Sequence, residues 1–324
     1  LKSFEAYKEI LENYIQKEIP KISPKELYEP YLYLIDLPSK RIRPVMLMSV
    51  YECYRPLENH VLNCAMAIEF FHNFTLMHDD IMDASDTRRG LPTVHKKFNE
   101  NSAILSGDVL LIITYQLLEN LLETKYFKEI FKLYNHTAIQ ICSGQQLDMN
   151  FENEYTITEL EYLMMIEYKT AVLLATSFKI GAILGEATPQ DADAFYQFGL
   201  NIGMAFQIQD DLLDSFGSTE QTGKVVGGDI CNNKKTLLMI KALQSNNRYH
   251  KELLNNWLQT KSFDEQKVTD IKQIFKDSGA LDYTIQKRDA YCEKAISFLN
   301  KINIQHEDKE ALIQFAKKSI QRVS

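Results

Sequence analysis

Two five-residue clusters, Asp79-Asp80-Ile81-Met82-Asp83 and Asp210-Asp211-Leu212-Leu213-Asp214, each set three carboxylates within a short helical stretch. At about 100° per residue, the first and fifth positions point almost the same way and the second sits about 100° round, so each triad shares one helix face. Two carboxylates about 5 Å apart repel by about 3 kcal/mol at an effective dielectric near 20, and a cation between them relieves that cost. Oxygen-only ligands select a hard ion, and Mg²⁺ commonly takes one or two carboxylates together with substrate phosphates. The clusters therefore read as two Mg²⁺ platforms.

Cations accompany them. Ser39-Lys40-Arg41-Ile42-Arg43-Pro44 opens a helix upstream of the first triad, and Arg88-Arg89-Gly90 follows it. Lys169-Thr170 precedes the second triad, and Lys224 and Lys234 lie in the glycine-containing loop behind it. Arginine forks bind diphosphate oxygens in pairs, and lysine supplies a mobile point charge. A lone Lys or Arg is ordinarily solvated surface, which is the reading for Lys317-Lys318. Carboxylate platforms trailed by cationic loops in an apolar helical chain instead describe a cavity for diphosphates carrying apolar tails.

These groups need long helices to hold them. Glycine and proline are scarce (12 and 8 of 324 residues), and apolar residues recur at helical spacing, as at Phe4, Tyr7, Leu11 and Tyr14. The expected fold is all-α, with long helices over 61–82, 159–184 and 189–215. Capping boxes are expected at Thr158/Glu161 and Ser262/Glu265, and an N-cap at Thr188 before Pro189. Gly199 and Gly203, one turn apart, point to close approach of a neighbouring helix. No linker divides the chain, so 1–324 reads as a single domain. No apolar run near ~20 residues is evident, so no membrane span is expected. Five scattered cysteines without a C-x-x-C pair indicate neither a disulfide framework nor a zinc site, and fit a reducing, cytoplasmic setting. A net charge of −8 opposes general attraction to nucleic acid. The first residue, Leu1, is compatible with a removed targeting peptide.

In order from Lys40 to Thr236, these motifs resemble the trans-isoprenyl diphosphate synthases, the polyprenyl synthetase family, of short-chain type. The resemblance implies a single large bundle of long helices around a central cavity, acting as a homodimer. It implies that Asp79, Asp80, Asp83, Asp210, Asp211 and Asp214 hold three Mg²⁺ on an allylic diphosphate. Lys40 and Arg43, from the motif usually written G-K-R-x-R-P, would bind isopentenyl diphosphate with His72 and Arg89. Arg88, Lys169, Lys224 and Lys234 match residues that grip the allylic diphosphate, and Thr170 and Gln207 match residues lining the reacting carbons. The chain departs from the pattern at Ser39 and Asn233, which stand where glycine is usual. Serine and asparagine tolerate turns, so the expected effect is a slightly altered loop. His78 is read as a supporting donor or helix-packing residue, His95 as structural, and the region beyond about 245 as helical packing.

The implied reaction joins an allylic prenyl diphosphate head-to-tail with isopentenyl diphosphate. Metal ions and lysines stabilise the departing diphosphate, which takes up the final proton in the family, and the protein keeps water from a carbocation. Product length is expected to follow Phe74, five residues before Asp79, with the small Thr75 beside it. That pattern resembles synthases stopping at C20, geranylgeranyl diphosphate, with farnesyl diphosphate (C15) next. The alternatives are a class I terpene cyclase, whose second metal motif normally mixes Asn, Ser or Thr with Glu, and a non-catalytic regulatory subunit, which can lose the aspartates retained here.

Overall fold

The computed structural model describes residues 1–21, 23–218, 226–260 and 264–321. Its elements in chain order begin with helices α1 (Phe4–Glu18), α2 (Lys25–Asp36), α3 (Ile42–Glu52) and α4 (Asn59–Met82). Strands β1 (Thr87–Arg88) and β2 (Leu91–Pro92) follow, then α5 (Val94–Lys97), α6 (Glu100–Leu118) and α7 (Phe127–Phe151). Next come α8 (Glu159–Ile166), a π-helical turn (Glu167–Ala171), α9 (Val172–Leu184) and α10 (Pro189–Phe216). The chain ends with α11 (Gly228–Cys231), α12 (Leu237–Leu243), α13 (Arg248–Trp257), α14 (Glu265–Asp277), α15 (Ala280–Leu299) and α16 (His306–Gln321). The fold is all-α, as scarce glycine and the helical apolar period require.

Local signals set several boundaries. Thr158 Oγ1 accepts the amide of Glu161 at 3.2 Å while Glu161 accepts the amide of Thr158 at 2.7 Å, a complete capping box. Thr188 Oγ1 accepts the amide of Asp191 at 3.1 Å at the start of α10. Ser262 lies outside the described residues; Asp264 caps α14, accepting the amides of Gln266 and Lys267. The helix expected over 159–184 is divided, because residues 167–171 take one π turn between α8 and α9. The expected helix over 61–82 begins two residues earlier, at Asn59. The only described strands form a two-residue hairpin: Thr87 pairs with Pro92 and Arg88 with Leu91. Arg89 (φ 55°) and Gly90 (φ 79°) occupy its turn, which needs positive φ at both central positions.

The described residues fall into two compact units: those within 1–136, 173–196 and 301–311, and those within 137–172, 197–300 and 312–321. The first buries Leu11, Leu34, Val45, Met48, Phe70, Phe71 and Leu110. The second buries Tyr162, Ile208, Leu237, Leu254, Ile271 and Phe275 in one cluster. Contrary to the expectation that no apolar run is long enough, the stretch Glu100–Leu121 matches a membrane span in length and composition. Within the first unit it is a core helix: α6 packs along α4 and buries Ala103, Gly107, Leu110, Ile113 and Leu118.

Candidate functional site

In the first unit, α4 carries its triad at its C-terminal end. Asp80 is buried, with its side chain 1% exposed, whereas Asp83 is exposed. The three carboxylates therefore do not share one environment, as helix geometry alone suggested. The hairpin explains the difference: Arg88 on β1 reaches back to donate to both oxygens of Asp80, at 2.6 and 2.7 Å. Burial pulls the Arg88 guanidinium down, and the Asp80 hydrogen bonds and charge more than offset this, so its pKa is raised. Its neighbour Arg89 donates to Leu37 O at 3.3 Å. Burial brings the Arg89 pKa down to about 10, with Arg41 and Arg88 adding like-charge repulsion.

Arg43, in the first turn of α3, donates to His72 Nε2 at 3.1 Å. Burial, then Arg43 and Arg89, hold the His72 pKa well below its ordinary value. His72 is thus neutral, with Nε2 as acceptor and Nδ1 carrying the proton. Lys40 is exposed just before α3. Between them Arg41 sits at φ 51° and turns inward, paired at 2.5 Å with buried Glu69 and bonded to Ile35 O. Ser39 Oγ accepts the Arg41 amide at 3.3 Å, so serine is built into the turn where glycine is usual.

Phe74 packs against Phe71 and His78 with ring centroids 5.7 and 4.9 Å apart. His78 in turn donates through Nε2 to Ile104 O on α6 at 3.2 Å. It lies so close to α6 that a Cβ at Gly107 would come within 2.4 Å of Nε2. His78 is therefore the helix-packing residue expected. Thr75 Oγ1 donates to His72 O at 2.8 Å.

In the second unit the π turn carries Lys169 and Thr170. A Cβ at Gly144 would lie 2.3 Å from Lys169 N, and one at Gly203 would lie 2.6 Å from Ala171 Cα. Glycines on α7 and α10 thus admit the wider π turn, and close approach at Gly203 is as expected. Lys169 Nζ donates to Asp148 on α7 at 2.6 Å. Lys234 Nζ lies 3.5 Å from the same carboxylate and 3.3 Å from Glu152. Burial raises the Asp148 pKa, but Lys169 and then Lys234 outweigh it, leaving the carboxyl below its usual range.

Thr170 Oγ1 donates to Gln207 Oε1 at 3.0 Å, and Gln207 Nε2 donates to Asp211 Oδ1 at 3.0 Å. Tyr162 donates to the other Asp211 oxygen at 2.6 Å. Burial, then the charge of Asp229, pushes the Asp211 pKa well above the usual carboxylate range despite those two donors. Asp214 accepts the amide of Asp229 at 2.8 Å, tying the triad to the loop that follows. Lys224 lies outside the described residues.

The sequence reading missed Glu69, Asp148, Glu152 and Tyr162, all partners of residues it named. Their signal is weak in the sequence, since Glu69, Asp148 and Tyr162 are isolated residues on helices and Glu152 follows the last turn of α7. Among the described residues, no three carboxylate, imidazole or thiol groups converge as a ready-made ion cage. The donor set at both triads is carboxylate oxygen alone, which fits a hard cation using few protein ligands and completing its shell with phosphate and water.

The polyprenyl synthetase family model matches residues 24–277. A geranylgeranyl diphosphate synthase of Methanosarcina mazei is 38% identical over 311 residues, covering 95% of this chain and 93% of that protein. A crystal structure of a geranylgeranyl pyrophosphate synthase superposes with a TM-score of 0.94 at 36% identity, covering both chains fully (100% and 100%). Another, from Corynebacterium glutamicum, was solved with isoprenyl diphosphate and magnesium; it gives a TM-score of 0.84 at 26% identity over 99% of this chain and 97% of that one. The chain belongs to the polyprenyl synthetase family and is a short-chain trans-prenyltransferase with the all-α isoprenoid synthase fold.

Proposed function

We propose that this chain makes geranylgeranyl diphosphate by Mg²⁺-dependent head-to-tail condensation of isopentenyl diphosphate with an allylic diphosphate. The observation that carries the proposal recurs in each unit: an aspartate triad near the end of a long helix, with cations drawn close by carboxylates, Arg88 in one unit and Lys169 with Lys234 in the other. Asp79, Asp80, Asp83, Asp210, Asp211 and Asp214 would hold three Mg²⁺, which supply Lewis-acid stabilisation to the leaving diphosphate. Arg88, Lys169, Lys224 and Lys234 would bind the allylic diphosphate, exchanging carboxylate partners for phosphate oxygens of like geometry. Lys40, Arg43, His72 and Arg89 would bind isopentenyl diphosphate; neutral His72 orients the Arg43 fork without adding charge. Thr170 and Gln207 would line the reacting carbons, their mutual hydrogen bond leaving little polar capacity turned on a carbocation.

Phe74 would be the floor that ends elongation. It lies ~7.5 Å along the helix from Asp79, held edge-on by His78. The whole chain, 1–324, would act as one catalytic domain in a reducing cytoplasm, to which its free cysteines are suited. A second copy would complete a homodimer: Leu105 and Ile112, two turns apart on α6, are 57% and 58% exposed. Family membership does not favour the cyclase or regulatory-subunit alternatives.

The test is incubation of the purified protein with Mg²⁺, isopentenyl diphosphate and each allylic primer in turn, with product length read by mass spectrometry. The expected product is C20, and Phe74→Ala is expected to lengthen it. A C15 product, or C25 and longer, from the unaltered chain would overturn the assignment of product. An unchanged distribution in Phe74→Ala would remove Phe74 as the floor.

A further inference from the structure

Lys267, on α14, is 0% exposed; burial outweighs the charge of Asp264 at the start of the same helix, which favours its ammonium, and among the described residues no carboxylate stands at ion-pair distance. Its ammonium donates to three neutral oxygens: Cys231 O at 3.1 Å, Asn233 Oδ1 at 2.7 Å and Thr260 O at 2.6 Å. All three donors are thereby used. Burying such a group is costly, and packing alone would be served as well by an apolar side chain. What the ammonium secures is the loop in front of Lys234.

Asn233 is the centre of that loop. It sits at φ 57°, a conformation glycine adopts without strain and asparagine tolerates. Its side chain is fully engaged: Nδ2 donates to Leu258 O at 3.1 Å and Thr260 O at 3.2 Å, while Oδ1 accepts from Lys267. Its carbonyl accepts from Lys235 Nζ at 2.9 Å, and its amide donates to Ile230 O at 3.2 Å. The next amide, of Lys234, donates to Asp229 O at 2.9 Å, and the Asp229 amide donates to Asp214. The segment from Asp229 to Lys234 is thus pinned from α14 and from the residues that follow α13.

We propose that Lys267 and Asn233 form a positioning pair for Lys234, fixing the loop so that the Lys234 ammonium stands with Lys169 beside Asp148, where both meet the allylic diphosphate. The pair touches no substrate; it acts through the direction of the Lys234 stem. This rests on the reading of Lys234 as a diphosphate ligand.

The test uses the full chain with Asn233→Gly, Lys267→Met, Lys234→Ala and the double variant Lys234→Ala/Asn233→Gly. KM for the allylic diphosphate, KM for isopentenyl diphosphate and Tm are measured for each. Asn233→Gly and Lys267→Met are expected to raise KM for the allylic diphosphate ~10-fold, the loss of about one charge-assisted hydrogen bond, with KM for isopentenyl diphosphate within ~2-fold. The double variant is expected to bind no more weakly than Lys234→Ala alone, because the pair acts through that lysine. Asn233→Gly suits the φ at that position, so it decides the question if Lys267→Met does not fold.

If Lys234→Ala raises KM for the allylic diphosphate while Asn233→Gly and Lys267→Met lower only Tm, the pair is structural and the inference alone is overturned. If Lys234→Ala leaves that KM unchanged, the ligand reading falls and takes the inference with it.

Discussion

The two buried aspartates, Asp80 and Asp211, occupy the same place in triads of identical spacing and are compensated by opposite means. Asp80 receives a charged fork from Arg88, whereas Asp211 receives a phenol and an amide. Hydrogen bonds from neutral donors leave much of the desolvation cost of Asp211 in place, hence its raised pKa. Removing Arg88 strands a charge that is 1% exposed, so Arg88→Ala is expected to cost about 3 kcal/mol, measured by urea unfolding. Arg89→Met is expected to change stability little, because Arg89 makes one long hydrogen bond and the favourable charge of Glu69 is opposed by burial and by Arg41 and Arg88. A comparable loss for both would show that the Asp80 pair has no special weight.

The π turn and the glycines around it act as a unit that no single helix contains. π turns are costly to a helix and concentrate at functional sites, and here one sets Lys169 and Thr170 at its centre. Gly203→Ala would force Ala171 aside and is expected to destabilise by about 1–3 kcal/mol while lowering kcat, as read by thermal unfolding and steady-state assay. Full activity in a stable variant would show that the turn need not be held so closely.

A second junction joins α8, α12 and α15. Glu159 meets Lys241 and Lys287 at 2.7 Å each and accepts from Tyr283 at 2.8 and 2.9 Å. Burial opposes its charge, but the Lys241, Lys287 and Tyr283 hydrogen bonds prevail and lower its pKa from 4.5 to about 2. A lowered carboxylate pKa contributes stability that is complete above the unfolded value and fades as pH falls toward the folded one. The Tm gap between the native chain and Glu159→Gln is therefore expected to be constant above about pH 5 and to close between pH 4.5 and 2. A gap that persists unchanged to the lower limit would contradict the assignment.

At the scale of the whole molecule, the net charge of −8 coexists with locally clustered cations. Arg88, Lys169 and Lys234 are matched to carboxylates and Arg89 to a carbonyl, so the negative balance does not preclude binding anions at chosen points. The proposed self-association also belongs to this scale. Leu105→Glu with Ile112→Glu is expected to shift the protein toward the monomer in sedimentation, because paired charges on that face of α6 cannot be buried against a second copy. An unaltered dimer mass would place the contact elsewhere, and a native chain that sediments as a monomer would overturn the proposed homodimer.

The sequence by itself determined the features whose causes are local. Helical spacing gave the all-α class, Thr158/Glu161 and Thr188 marked helix starts through bonds spanning three residues, and the two triads and their following loops identified the family. The tertiary structure decided which groups meet. Arg88 could as well have faced solvent as Asp80; the type of turn at Arg89 and Gly90 aimed it. The break in the helix over 159–184 depends on space left by Gly144 and Gly203, one on each of two other helices. Lys267 carries no motif at all, and its meaning comes from oxygens 7 to 36 residues away. Capping and periodicity are written within a turn or two of chain, whereas the partner of a buried charge is chosen by packing between segments far apart in sequence.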